Sequence, residues 1–308
     1  MARAGHRWYA SVLCKVTTEL PDKPTGRQHA RGTVGIDAGV KYLAALSQPL
    51  TPDDPTTLFL INPRHIRRAE KRLAKVQRAL SRTQKGSARR TKAHRRVARL
   101  HHEVAERRDT TLHTITKQLT TRFATVAIEG LNVAGMTGSA RGTTAAPGKH
   151  VRQKAGLNRS ILDAAPGELR RQLTCKASWY GSQLAVLDRW WPSSKTCSTC
   201  GWQNPRLTLA VRTFHCDACG LWIDRDTNAA RNIAANAVLS GTQRAGTVAP
   251  GSGETQKARG VPVRLPALRG RKHETKKRED TAPPGTVPPR RSDPPTSPNP
   301  RQEQANLF

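Results

Sequence analysis

Apolar positions along this chain follow two different periods, and the switches between them divide it into segments. From Arg7 to Thr18 apolar and polar residues alternate, with Trp8, Ala10, Val12, Cys14 and Val16 on one side, which predicts a strand. No earlier segment offers it a partner, so it is expected as a lone edge strand. Leu20 to Arg31, with Pro21, Pro24 and Gly26, reads as a linker. Short apolar strands follow at Thr33–Val40, Tyr42–Leu46 and Thr57–Ile61. The first of these delivers Asp37 at its end, just before a turn containing Gly39.

The period then changes. Ile66, Ala69, Leu73, Val76 and Leu80 recur at spacings of three and four, one apolar stripe on a helix. After a break at Gly86-Ser87, Ala93, Val97, Leu100 and Val104, then Leu112, Ile115 and Leu119, repeat the pattern, which predicts an antiparallel helical hairpin. Strand character returns at Thr125–Glu129, again ending in a carboxylate. Gly138 to Gly156 reads as a loop, Ile161 to Trp179 as a helix interrupted near Pro166-Gly167, and Gln183 to Trp190 as a further strand. An alanine-rich helix runs from about Asp226 to Leu239.

Charge changes the picture. Lys and Arg number 53 against 22 acidic residues, a formal charge of +31, which is self-repelling without a polyanion. The cations concentrate on the outer face of the hairpin, from Arg64 through Arg82 and from Arg89 through Arg99, with acidic residues almost absent until Glu103. Phosphate contact is the reading this composition favours. No apolar run approaches the roughly 20 residues of a membrane span, and the first ten residues lack the apolar core of a signal peptide. A cytoplasmic, nucleoid-associated protein without a membrane partner is expected. From Gly241 onward eleven of the 21 prolines fall between Pro250 and Pro300, mixed with Arg, Ser, Thr and Gly. A disordered basic tail is expected there.

Two Cys-x-x-Cys pairs, Cys197/Cys200 and Cys216/Cys219, are separated by fifteen residues, and each second cysteine precedes a glycine. That spacing suits a four-thiolate structural zinc site, with the glycines supplying knuckle turns. Cys14 and Cys175 read as ordinary reduced thiols, and His215 as a residue beside an already filled tetrahedron. Immediately after the ribbon comes Asp224-Arg225-Asp226, where carboxylates open a helix. Whether they cap that helix or hold a metal is open on local grounds. Asp37 and Glu129 at strand ends, joined by an acid at this helix start, suit Mg²⁺ or Mn²⁺ and two-metal phosphodiester hydrolysis.

GTVGIDAGVKYLAALS, VAIEGLNVAGM, SSKTCSTCGWQN and CDACGLWIDRDTNAARNIA resemble, in order and spacing, the RuvC-like core and zinc ribbon of the TnpB family of insertion-sequence proteins, OrfB-type transposases. The resemblance spans roughly residues 7–240. It implies an α/β, RNase H-like (RuvC) mixed sheet with an inserted basic helical hairpin, a four-cysteine zinc ribbon and a disordered C-terminal tail. It assigns the catalytic acids to Asp37, Glu129 and Asp226, preferring Asp226 over Asp224. It also implies a guide RNA from the element's end that directs cleavage of matching DNA. Full-length members carry a β-barrel module before the core, of which Arg7–Thr18 corresponds to the last strand, so this chain is expected to be short at its N-terminus.

The expected organisation is therefore 1–31 for the barrel remnant and linker, 32–62, 124–193 and 223–240 for the core, 63–123 for the hairpin, 194–222 for the ribbon and 241–308 for the tail. The expected function is a mobile-element-encoded RNA-guided DNA endonuclease. The alternative is a nuclease-inactive remnant or repressor that binds DNA or RNA through the hairpin and ribbon. Oligomeric state is not legible. Trp190 and Trp191 are expected to pack the ribbon against the core, with base stacking as the competing role. Asn228 and Arg231 are read either as neighbours of the catalytic metals or as capping and solubilising residues.

Overall fold

The computed structural model describes residues 2–4, 7–10, 12–14, 17, 19–208 and 210–239. The expected tail at 241–308 lies outside the described residues. The chain opens with β1 (Ala2–Ala4) and β2 (Arg7–Tyr9), paired antiparallel. The strand expected over Arg7–Thr18 is therefore only three residues long among the described positions, and it has a preceding partner. Val12 and Leu13 are exposed, so alternation there has no sheet to bury it. The short hairpin leans on the long helix described below, where Arg7 Nη1 donates to Glu106 Oε1 at 2.7 Å.

The expected linker contains a helix, α1 (Gly26–Arg31). Thr25 and Gln28 form a reciprocal capping box, and the buried Gln28 donates Nε2 to the carbonyls of Thr120 and Tyr180 at 2.7 and 3.0 Å. That tertiary anchor overrides the proline-rich composition.

The core is a mixed sheet of five strands among the described residues. β3 (Thr33–Ala38), β4 (Tyr42–Leu46) and β5 (Phe59–Ile61) are antiparallel neighbours. The expected strand at Thr57 begins two residues later, because Pro55–Leu58 forms a 3-10 turn capped by Asp54. α2 (His65–Ser81) and α3 (Ala88–Arg122) form the predicted hairpin, burying Leu73, Leu100 and Val104. Its ends are capped from a distance. Asp163 accepts from the Ile66 amide with both oxygens, at 3.1 and 3.0 Å, and Arg90 Nη1 donates to the carbonyls of Leu80 and Thr83.

β6 (Thr125–Glu129) pairs parallel with β3. After the short α4 (Val133–Met136), α5 (Val151–Ala164) begins ten residues earlier than the periodicity suggested, inside the expected loop. It is separated from α6 (Pro166–Tyr180) at Ala165, whose φ of 51° breaks the helix where Pro166 follows. β7 (Gln183–Leu187) pairs parallel with β6, giving the order β5-β4-β3-β6-β7. It stops three residues short of the expected Trp190, since Asp188 Oδ1 accepts from the Trp190 amide in a turn. β8 (Thr213–His215) and β9 (Trp222–Asp224) make the ribbon's hairpin, and α7 (Arg225–Leu239) closes the described chain.

Strand alternation sends Val34, Ile36, Val126, Ile128 and Leu184 to one face, against Leu112, Leu119 and Phe123 of α3 and Leu169 and Leu173 of α6. Ala127, Ala185 and Leu187 go to the other face, against Ile233 and Ala237 of α7. Gly35 belongs to this second face, and α7 lies directly on it. A Cβ at Gly35 would overlap the Ala230 carbonyl oxygen and stand 2.5 Å from the Ala234 amide nitrogen. Both are backbone atoms that cannot rotate aside. Gly35→Ala is therefore expected to lower stability by roughly 3 kcal/mol, or about 6–12 °C in Tm, read by thermal unfolding of the zinc-loaded chain.

Candidate metal centres

The two parallel strands that carry the acids lie side by side. Ile36 pairs with Ile128 at the last step of the β3–β6 ladder, so Asp37 and Glu129 follow at the C-terminal ends of adjacent strands. Both sit on the face covered by α7, two positions beyond Gly35 and Ala127 respectively. Two residues of strand advance about 6.7 Å, and the four residues from Ala230 back to Asp226 span about 6 Å of helix. The contact at Gly35 thus carries the start of α7 over Asp37.

Electrostatics report the same proximity. Burial, then the charges of Asp226 and Glu129, raise the Asp37 carboxyl to about 8. Glu129 is also raised, by burial, against the hydrogen bond from Ser193, which lowers it. The carboxylates are gathered but not closed around one point. Among the described residues, the four cysteines are the only group of three or more whose ligand atoms all lie within 4.8 Å of one another. Their oxygen donor chemistry suits hard divalent ions.

The helix start resolves into two roles. Asp224 Oδ1 accepts from the amides of Asp226 and Thr227 at 2.9 and 3.1 Å, the geometry of an N-cap. Asp226 is left with a 3.4 Å contact to Arg225 Nη2. Of the two aspartates that local sequence left open, Asp224 is the one that caps the helix.

In the ribbon, Cys197 and Cys219 sulfurs are 3.7 Å apart and those of Cys200 and Cys216 3.5 Å. A tetrahedron with metal–sulfur bonds of about 2.3 Å has edges of about 3.8 Å, whereas a disulfide is about 2.05 Å long. The cluster fits an ion such as zinc. Each knuckle closes alike, with the Gly201 amide on the Cys197 carbonyl and the Gly220 amide on that of Cys216, both glycines at positive φ. Burial pushes the Cys197 thiol up, but the amides of Cys200 and Thr199 outweigh it and bring it to about 7. His215 takes no part in this cluster; it faces Asp217 and the Trp222 ring.

Several contacts that tie these centres together escaped the sequence reading. Asn228, fully buried, accepts from the Ser198 amide at 2.9 Å and donates to the Thr196 carbonyl at 2.7 Å. Asn232 donates to the carbonyls of Ser193 and Thr196. Asn228 is thus buried rather than solubilising, and it fastens the first knuckle to α7. Ser193 Oγ donates to Glu129 Oε1 at 2.8 Å. The i, i+4 pair of asparagines beside the ribbon was the available signal. Trp190 does not pack the ribbon on the core as expected; it is 76% exposed.

The cationic hairpin face is solvent-facing from Arg67 to Arg82 and from Arg89 to Arg99, apart from the capping Arg90. A cleft of about 460 Å³ lined by Lys41, Tyr42, Asn62, Arg64, Arg67 and Arg68 joins the start of α2 to the sheet edge. Lys41 closes the turn after β3 and Tyr42 opens β4, so this basic surface begins at the same end of the sheet as Asp37. No helix among the described residues is long and apolar enough to cross a membrane.

These centres set two expected outcomes. Asp37 keeps its proton in the fold up to about pH 8 but loses it near 4 when unfolded, so the unfolded chain binds fewer protons across that window. Stability of zinc-loaded, Mg²⁺-free protein should fall as pH rises from 4 to 8, and Asp37→Asn should be more stable at pH 8 by roughly 1–3 kcal/mol, measured by urea unfolding. Asn228→Ala removes the acceptor of the Ser198 amide and leaves the Thr196 carbonyl with Asn232 as its side-chain donor. It should cost about 2 kcal/mol and speed zinc release to a colorimetric chelator.

Comparison with known proteins follows the same lines. Residues 11–140 match the family model OrfB_IS605, described as "Probable transposase", and residues 167–233 match the "Cas12f1-like, TNB domain". The chain is 43% identical over 233 residues to a "Putative RNA-guided DNA endonuclease" of Streptomyces pristinaespiralis, covering 76% of this chain and 50% of that protein. It is 38% identical over 236 residues to the "Putative RNA-guided DNA endonuclease InsQ" of Escherichia coli K12, covering 76% and 55%. The chain thus spans about half the length of the curated relatives it matches. A solved Cas12f1-sgRNA-target DNA complex aligns at 18% identity with a TM-score of 0.44 over 65% of this chain and 49% of that one, too distant to support an argument. On the two family matches and these identities, the chain belongs to the TnpB family of insertion-sequence proteins.

Proposed function

We propose that this chain acts as an RNA-guided DNA endonuclease of a mobile element, with Asp37, Glu129 and Asp226 as the ligands of two divalent cations. The observation that carries the reading is the convergence of these side chains on one face, at the ends of β3 and β6 beneath the start of α7. The sheet is read as an RNase H-like core built from 32–62, 124–193 and 223–240. Both the carboxylate arrangement and the names of the relatives favour a nuclease over an inactive binder.

Each neighbouring residue has a definable task in this reading. Mg²⁺ or Mn²⁺, when bound, would supply an activated water and charge neutralisation at the leaving oxygen. Ser193 donates to one oxygen of Glu129 and so holds the carboxylate in place. Asp224 satisfies the helix amides, which leaves the Asp226 carboxylate available. The hairpin cations and the cleft at Arg64 would take the phosphates of target DNA and of a guide RNA, the protein reading backbone shape while base pairing reads sequence. The cysteine ribbon would hold zinc as a structural ion.

The test is reconstitution of the chain with guide RNA transcribed from the element's end, matching DNA and Mg²⁺. Cut target is expected, with Asp37→Ala, Glu129→Ala and Asp226→Ala each slower by at least about 10³-fold. Asp224→Ala should instead keep its rate within a few-fold and lose about 1 kcal/mol of stability. Wild-type cutting by Asp37→Ala would remove the carboxylates from the mechanism.

A further inference from the structure

The segment linking β7 to the ribbon is tethered beside Glu129 at both ends. Leu187 pairs with Glu129 in the sheet, and Ser193 Oγ is bonded to its carboxylate at 2.8 Å. Trp190 stands midway, three residues from each anchor. An extended chain advances at most about 3.6 Å per residue, so the Trp190 Cα lies within about 11 Å of either anchor's Cα. Proximity to the acids is therefore fixed by connectivity.

The indole is presented outward rather than packed. It is 76% exposed although burial would favour a side chain of this size. Its backbone is held: Asp188 Oδ1 accepts from the Trp190 amide at 2.8 Å, and the Asp188 carbonyl accepts from the Trp191 amide at 3.3 Å. Arg189 places its guanidinium carbon 4.5 Å from the ring centroid, a cation–π contact that steadies the ring and leaves a second face open. An open aromatic face next to a guanidinium, on a loop that cannot leave the acid site, matches the two surfaces of a nucleotide, a π-face and a phosphate.

We infer that Trp190 and Arg189 form a single-nucleotide platform, with an unpaired base of the DNA strand stacking on the indole and its phosphate meeting the guanidinium. The inference rests on the nuclease reading for its purpose but not for its measurement. At about 3.4 Å per nucleotide along a stacked strand, the platform would hold a base within roughly six nucleotides of the bond to be cut. It would keep a displaced strand from re-pairing while its backbone crosses the acids. Stacking of this kind is sequence-tolerant, as required where pairing with a guide does the reading.

The probe is a single-stranded DNA oligonucleotide carrying one 2-aminopurine, titrated into zinc-loaded full chain with the Asp37→Ala substitution so that no cutting intervenes. Binding is expected to quench the 2-aminopurine. Adding Trp190→Ala should abolish the quench and weaken binding about 10-fold, within the roughly 5- to 150-fold range of one lost stack. Trp190→Phe should keep most of both, and Arg189→Ala should reduce the slope of binding against salt by about one phosphate contact. Because Trp190 is exposed, its variant should melt like the parent. An unchanged quench and affinity in Trp190→Ala would overturn the platform even if the reconstituted enzyme cuts normally. Loss of quench in that variant supports the platform even if no reconstituted complex cuts DNA, a result that would count against the nuclease reading alone.

Discussion

The close approach of α7 to β3 at Gly35 is the contact on which the rest of the molecule depends. Only a residue without Cβ lets the Ala230 carbonyl and the Ala234 amide come so near the strand. Once the helix is seated there, its own period distributes three tasks around it. Ile233 and Ala237 fill the sheet face, Asp226 arrives one turn ahead of the contact beside Asp37, and Asn228 and Asn232 look toward the ribbon. An alanine-rich sequence suits such a helix. Larger side chains at Ala229 and Ala230, both buried, would lift it from the strand and carry Asp226 away from Asp37.

The two proposed metal centres are chemically separate but mechanically joined. Thiolates serve a soft site and carboxylates a hard one, so neither set competes for the other's ion. The link runs from the first knuckle through Asn228 and Asn232 to Ser193, and from Ser193 Oγ to Glu129. Binding energy of an ion in a ribbon with only a small apolar core would therefore also position a carboxylate outside the ribbon. The ribbon's apolar cluster, centred on Phe214 with Cys197 and Cys216, supports this dependence on a metal by its small size.

The hairpin poses the opposite electrostatic problem. Its stripe of cations is offset at few places among the described residues, such as Arg99 with Glu103 and Arg159 with Glu70. Exposed pairs of this kind contribute little. What orders the hairpin is the apolar seam at Leu73, Leu100 and Val104, together with the buried Asp163 at the start of α2. The charge is then free to act outward, as a surface for phosphates.

Features that depend on neighbours within a few residues were legible in the chain before any folding was considered. The 3.6 period of α2 and α3, the cysteine pairs with their glycines, and the carboxylates closing the Thr33 and Thr125 strands belong here, since each is a local spacing. Several of the overturned or open readings turned on partners far along the chain. Gln28 made a helix of the linker through Thr120 and Tyr180, Ala2–Ala4 paired the first strand, and Asn228 turned to the knuckle thirty residues before it. The cap at Asp224, with Asp226 beside Arg225 instead, needed the helix start, and the attachment of Ser193 to Glu129 bridged 64 residues. These were settled only in three dimensions, because a hydrogen bond is set by distance and direction in space, and neither can be read from separation along the chain.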